Sequence, residues 1–441
     1  WVENVSDLGS LESKFSSFGW SVARCDGHDF RMIAQTLNDM RSAQDRPKIL
    51  IADTIKAKGV SFMQSTSAGL PERLYPYHSG AVAPTIYRQA VEEIRSRLNA
   101  ALKKIKQRAL NMQRIPAVPV AVGVQTGGLR HELLGVYSKA LASCGAKNRN
   151  LVVLSADLAK DCGLLEFERK FPDRFVECGI AEQDMVSQAG GLALKGCLPV
   201  VHSFASFLAS RANEQIYNNA TEAKRIIYTG TLAGLLPATP GHSHQAIHDI
   251  SVLRAVPGLT LIQPADAAQL KRALSWAVSA NTGSTYLRIC SVPVLSPLNT
   301  SFDGQLSRGR GTIALKGDDA LIITYGPVML AEACGAAQLL RSHNRVSAAV
   351  MNLPWLNAID EKWFQQIASF YRYVITIDDH SIEGGQGQMI AAACSRIGLG
   401  LRLLTLGISG IPACGQKAEV LRAHCLDGES IAEAIAVFVK T

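Results

Sequence analysis

The segment Cys178-Gly-Ile-Ala-Glu-Gln-Asp-Met185 sets a carboxylate, Glu182, between the short β-rich run Arg174-Phe-Val-Glu177 and an apolar, Gly/Ala-rich helical stretch. A carboxylate in the first turn of a helix complements the helix dipole whatever else it does. Its company points to chemistry. Two aromatics, Phe204 and Phe207, follow the next β-rich run, and His244-Gln245 lies in a Gly/Pro loop after the run beyond that. A carboxyl group, a flat apolar clamp and a polar loop at successive strand ends suit an aromatic heterocycle that needs one proton moved. At three-residue spacing the two phenylalanines also fit the buried face of a helix, so by themselves they read equally as core.

Such residues need a scaffold that ends its strands together. Buried-type runs at Lys48–Asp53, Leu151–Leu154, Pro199–Val201, Arg225–Tyr228, Leu259–Ile262, Ala320–Thr324, Val346–Asn352 and Val374–Ile377 alternate with helical segments, among them Phe30 to Ala43 with Ile33, Leu37 and Met40 in register. This alternation predicts an α/β fold of three doubly wound domains with mainly parallel sheets. In such sheets ligands bind beyond the carboxyl ends of the strands, where Glu182 falls. Turn chemistry clusters at Ile115–Gly128 and Thr300–Gly311, which sets expected limits at 1–110, a linker at 111–125, and further domains at 126–305 and 306–441.

Composition narrows the class. With 441 residues, 47% hydrophobic and 19% charged, the chain is neither disordered nor fibrous. The net charge of +8 is spread out apart from Lys103-Lys104-Ile105-Lys106-Gln107-Arg108, which reads as a solvated helix end, so no nucleic-acid partner is expected. Ten cysteines form no Cys-x-x-Cys pair and no Cys/His ligand spacing. They read as buried free thiols, Cys197, Cys290, Cys334 and Cys394 among them, in a reducing, cytoplasmic setting. No apolar run has membrane-spanning length and no signal peptide is seen. The chain opens at Trp1 inside what reads as the late part of a domain, so an upstream part is expected.

Gly179-Ile-Ala-Glu-Gln183, Phe204-Ala-Ser-Phe207, Ser243-His-Gln245, Val256 to Asp266 and His380-Ser-Ile-Glu-Gly-Gly-Gln-Gly387 together resemble the thiamine-diphosphate-dependent transketolase family. Gly19-Trp20, Asp26-Gly-His-Asp29, Thr54 to Phe62 and Tyr77-His-Ser-Gly80 resemble the end of that family's diphosphate-binding domain, so the likeness covers nearly the whole chain in order. It implies a diphosphate-domain remnant, a pyrimidine-binding domain and a C-terminal domain. Glu182 would hydrogen-bond the aminopyrimidine and favour the imino tautomer that deprotonates the thiazolium carbon. Phe204 and Phe207 would stack on the pyrimidine, with Asp157 beside it. His78 and His244 would move protons at the reacting carbons, and Arg130, Arg288, His244 and His242 would hold the substrate, the arginines on its phosphate. The implied reaction moves a two-carbon ketol unit from a ketose to an aldehyde.

Two departures accompany the resemblance. The Gly-Asp-Gly motif that holds diphosphate and metal in the family is absent, since none of Asp26-Gly27, Asp303-Gly304 and Asp427-Gly428 has a glycine before it. No metal ligand is therefore assigned here, and Mg2+ or Ca2+ is expected in the missing N-terminal part or on a partner subunit, within a homodimer or a heteromer. Leu232 replaces a phosphate-binding histidine, and Pro240 an aspartate that recognises a donor hydroxyl; neither side chain can make those hydrogen bonds. Decarboxylating acyl transfer from a 2-oxo acid therefore stands as an alternative activity, and a non-catalytic pyrimidine-half subunit as an alternative role.

Overall fold

β1 (Ser21–Asp26) and β2 (Lys48–Asp53) pair in parallel, residue for residue from Ser21 opposite Lys48 to Asp26 opposite Asp53. They belong to the first of two compact units, Trp1–Val118; the second is Pro119–Thr441. The structure, a computed structural model, describes residues 2–66, 74–78, 82–113, 130–295, 302, 304 and 306–440, so most of the expected linker lies outside the described residues.

In the first unit the helix Phe30–Asp39 starts where the Asp29 carboxylate accepts from the amides of Arg31 and Met32, at 2.8 and 3.2 Å. It ends four residues before the expected Ala43 because Met40–Ser42 tighten into a 3-10 turn. The basic cluster at 103–108 is exposed and begins in the last turn of the helix Pro84–Lys104, where cations meet the negative end of the helix dipole. Among this unit's described residues Cys25 and Val60 are the buried hydrophobics. The parallel pair therefore has no apolar core of its own.

The second unit has a core of a different order. A six-stranded, all-parallel sheet runs β5-β4-β6-β7-β9-β8, from β4 (Leu151–Ser155), β5 (Phe175–Glu177), β6 (Leu198–Phe204), β7 (Ile227–Thr231), β8 (Thr260–Ile262) and β9 (Thr285–Arg288). Every residue of β6 and β7 is buried, as both faces carry helices. A five-stranded sheet follows, built from β11 (Thr312–Leu315), β12 (Ala320–Thr324), β13 (Ala348–Asn352), β14 (Tyr373–Ser381) and β15 (Arg402–Ile408). Its order is β11-β13-β12-β14-β15, antiparallel only at the β11 edge. A short antiparallel pair joins β3 (Arg130–His131) to β10 (Val294–Leu295).

One continuous hydrophobic cluster runs from the helices over the first sheet into the second, and Trp276 meets Trp355 edge-on at 5.2 Å within it. The strand order of the six-stranded sheet reverses between β4 and β6. The crevice beyond that reversal, at the carboxyl ends of β4 and β6, is where such a sheet binds ligands.

The thiols differ in part from expectation. All ten cysteines are free, and Cys290, Cys334 and Cys394 are buried, but Cys197 is half-buried in the turn before β6, and Cys414 and Cys425 are exposed. No helix among the described residues is long and apolar enough to cross a membrane.

Candidate active site

Glu182 is the first residue of the helix Glu182–Leu194, which starts after β5 next to β4. Only 4% of Glu182 is exposed. Its Oε1 accepts from the Ser203 hydroxyl at 3.2 Å and from Arg211 Nη1 at 2.7 Å. Ser203 is the penultimate residue of β6, and Arg211 closes the helix Ala205–Arg211 that follows directly. A buried carboxylate requires such partners.

Phe204 and Phe207 stand beside this carboxylate with ring centres 5.5 Å apart, and His244 closes the cluster at 5.5 Å from Phe204 and 5.1 Å from Phe207. The structure thus brings Glu182, Phe204, Phe207 and His244 together at the switch point. An aromatic shelf beside a buried carboxylate fits the aminopyrimidine ring of thiamine diphosphate, which needs a stacking face and one acceptor at its edge.

The loop that carries His244 is anchored from three sides. Ser206 donates to the Ser243 carbonyl at 2.9 Å, Ala246 N–H to Gly234 at 3.0 Å, and Gln245 Nε2 to Leu235 and Ala413 at 3.1 and 2.9 Å. Gly234 has a φ of +93°, and a Cβ there would fall 2.0 Å from Asp379 Oδ2, so only glycine lets this backbone pass over β14. The Ser243 hydroxyl lies 3.0 Å from His244 Nδ1. His242 and Pro240 are exposed on the same loop. Leu232, just past β7, sits in the left-handed region at φ +51° with its amide on the Ser291 hydroxyl at 3.0 Å.

The remaining expected residues have varied surroundings. Asp157 follows β4 at φ +58°, is exposed, and donates its amide to Glu177 Oε1 at 2.7 Å. Glu177, whose carboxyl is pushed up by burial, also accepts from the Gly179 amide at 3.0 Å, which fixes the turn leading to Glu182. His78 belongs to the first unit, where it is exposed and its Nδ1 accepts from Lys56 Nζ at 2.5 Å. Arg130 has its backbone in β3, and its side chain lies outside the described residues.

Arg288 departs from the role that the resemblance implied. It is fully buried and its five N–H groups are committed: Nε to Asp249, Nη1 to Gln263 and to Asp379 at 2.6 Å, Nη2 to the Ala246 carbonyl and to Asp249. A guanidinium has five donors, so in this arrangement none is left for a phosphate. It ties the six-stranded sheet to β14 instead. Burial pushes the Asp249 carboxyl up, but the facing Arg288 charge outweighs it and the net shift is downward. For Asp379 burial wins and the shift is upward, and it drives Asp378 up to about 6. Asp378 receives the amides of Gln386 and Gly387, each at 2.9 Å, and so caps the helix that the Gly384-Gly-Gln-Gly387 stretch opens.

Sequence reasoning missed Ser203 and Arg211. The signal was present: Arg211 falls one helical turn after Phe207, and its guanidinium carbon lies 3.9 Å from the centre of that ring.

Comparison with known proteins follows the same geometry. The family model for the transketolase pyrimidine-binding domain matches residues 133–291, and that for the transketolase C-terminal domain matches 309–431. A putative transketolase C-terminal section from Methanocaldococcus jannaschii is 33% identical over 314 residues, which are 71% of this chain and 98% of that protein. Human transketolase is 27% identical over 435 residues; the match takes in 96% of this chain but 66% of the human protein, so the chain spans just under two thirds of that relative. Among solved structures, a split-gene transketolase described as an inactive β4 tetramer superposes with a TM-score of 0.62 at 31% identity, over 71% of this chain and 99% of the other. With the buried carboxylate, the aromatic shelf and the histidine loop lying inside the matched domains, the chain belongs to the transketolase family.

Proposed function

We propose that this chain supplies the pyrimidine-binding half of a thiamine-diphosphate enzyme that moves a two-carbon ketol unit from a ketose to an aldehyde. The observation that carries the proposal is Glu182, 4% exposed, opening beside Phe204, Phe207 and His244 at the sheet's switch point. Bound there, thiamine diphosphate would supply the carbon nucleophile and electron sink for breaking the bond next to a ketone. Glu182 would hold the proton on the ring nitrogen that faces it. Phe204 and Phe207 would clamp the ring against rotation and keep water from that edge. His244, held by the anchored loop, would exchange a proton with a hydroxyl of the bound sugar, and His78 is proposed for a second such exchange. Asp157 is proposed beside the cofactor, and Arg130 and His242 for the substrate.

The diphosphate and its divalent cation need a cradle that these residues do not offer. No cluster of three or more His, Cys, Asp or Glu side chains suited to a metal occurs among the described residues. Residues 1–110, proposed as the end of the diphosphate domain, hold β1 and β2, and among their described residues Cys25 and Val60 are the buried hydrophobics. We infer that further strands, from the same polypeptide or a partner subunit, cover this pair and carry the cation ligands. The relative described as an inactive β4 tetramer supports an assembly in which this half alone does not turn over. The test is ketol transfer from xylulose 5-phosphate to ribose 5-phosphate by the assembled enzyme with thiamine diphosphate and Mg2+. Turnover that needs both additions is expected, and turnover without thiamine diphosphate would refute the proposal.

A further inference from the structure

Both hydrogen bonds to the Glu182 carboxylate end on the same oxygen. Ser203 Oγ and Arg211 Nη1 converge on Oε1 at 3.2 and 2.7 Å, and among the described residues no donor reaches Oε2. Two donors on one oxygen fix the carboxylate plane more firmly than either alone. The guanidinium is itself fixed, 3.9 Å over the Phe207 ring, although the Arg211 side chain is 44% exposed against 3% for that of Glu182. Arg211 is thus braced by the aromatic ring and braces the acid in turn. The neighbouring carboxylates are engaged elsewhere, Glu177 by the amides of Asp157 and Gly179 and Asp184 by the Gln188 side-chain amide.

We propose that Arg211 is the positioning residue of this site: with Ser203 it saturates Oε1 and leaves Oε2 as the one acceptor presented to the ring nitrogen of the aminopyrimidine. This deepens the functional reading above and rests on it. A planar fork stacked on an aromatic ring can do this where a lysine cannot, because an ammonium neither stacks flat nor aims a donor in a fixed direction. Arg211 touches neither cofactor nor substrate in this account; it acts through Glu182. It also distinguishes the two oxygens of one carboxylate, so its loss would change which ring tautomer is held as well as how tightly the ring binds.

The test compares wild type, Arg211→Lys, Arg211→Met and Ser203→Ala in the assembled enzyme, with thiamine diphosphate and Mg2+ as the probe. Two readouts besides activity are used: the dissociation constant from protein-fluorescence quenching, and the pH dependence of the circular-dichroism band of the bound iminopyrimidine. Arg211→Met should bind about tenfold to a hundredfold more weakly, the scale of one charge-assisted hydrogen bond, and its imino band should titrate at a different pH from wild type. Arg211→Lys should recover part of the affinity but not the wild-type titration, and Ser203→Ala should move both readouts in the same direction by less. Thermal melting of each variant separates these effects from a folding defect, which would leave the titration of the remaining folded protein unchanged. If Arg211→Met binds as tightly as wild type with the same band titration, the inference falls while the reading of the site stands. Tighter binding would show the guanidinium to be a competitor for the ring's place and would overturn it too. If wild type binds no thiamine diphosphate, both fall together.

Discussion

Replacing Arg288 with Met separates two jobs that one arginine could have. In the structure its guanidinium is completely buried between two carboxylates, bonded to Asp249 at 2.8 and 3.1 Å and to Asp379 at 2.6 Å, with Tyr286 adding a 2.8 Å hydrogen bond to Asp249. Methionine fills much of the same volume but removes the cation that pairs with both carboxylates, leaving Asp249 and Asp379 without it. Breaking a buried pair by deleting one partner typically costs about 3–5 kcal/mol, because the orphaned charge keeps its desolvation penalty. Part is recoverable by protonating Asp379, whose carboxyl is already shifted upward by burial, so of two measurements at about pH 6 and about pH 8 the one at lower pH should show the smaller loss. At a typical conversion of a few degrees per kcal/mol, the melting temperature of this unit should fall by on the order of 10 °C. The assay is calorimetric or circular-dichroism melting at the two pH values, with KM for a phosphorylated acceptor measured well below the melting range. A phosphate-holding arginine would give the converse pattern, a large rise in KM with melting unchanged. That outcome would refute the assignment of Arg288 to the joint between the sheets.

Two further outcomes follow from the same geometry. Leu232→His should raise kcat/KM for ketose phosphates about tenfold to a hundredfold, equivalent to about 1–3 kcal/mol for a restored charged hydrogen bond, and histidine tolerates the φ of +51° at this position better than leucine; unmodified sugar-phosphate turnover already at ordinary enzyme rates would remove the case for altered specificity. His202 is fully buried between the Tyr137 hydroxyl at 2.6 Å and the Leu154 carbonyl at 3.2 Å, and burial pushes it down to about 4. A base depressed in the fold takes up protons preferentially when unfolded, so this stability is complete above about pH 6.5 and is lost as pH falls toward 4, a span of about 3 kcal/mol. His380, also near 4, adds to the loss, while Asp378, raised to about 6, opposes it. His202→Gln should flatten the fall in melting temperature between pH 7 and pH 4, and an unchanged slope would contradict the assignment.

The strands that are buried on both faces were legible because hydropathy alone marks them. β12 spans Ala320–Thr324 just as its apolar run suggests, whereas β2 has the expected bounds, Lys48–Asp53, but none of its residues is buried. β14 was read as ending at Ile377 but continues to Ser381, because Asp378, Asp379 and His380 are buried by a network whose other members lie in β9, the Asp249–Leu253 helix and the Gln386–Arg396 helix. Polar residues at a strand end look like a loop until their distant partners are known. The same limit applies to the arginines. Arg288 and Arg211 are chemically equivalent in a sequence; which one meets the carboxylate of the site and which closes a joint depends on partners 29 residues away in one case and 39 and 91 in the other. Glu182, Phe204, Phe207 and His244 were recoverable because each follows a strand end of one parallel sheet, where topology alone brings them together.

The central claim is that Glu182 holds the proton by which the aminopyrimidine activates its cofactor, and the most direct measurement is hydrogen–deuterium exchange at the thiazolium C2 of bound thiamine diphosphate, in wild type and in Glu182→Gln. The account predicts at least about a hundredfold slower exchange in the variant, the usual scale for a positioned proton-transfer group, with folding and melting retained. Equal exchange rates in the two proteins, with the cofactor bound in both, would contradict it and leave Glu182 as an ordinary first-turn carboxylate.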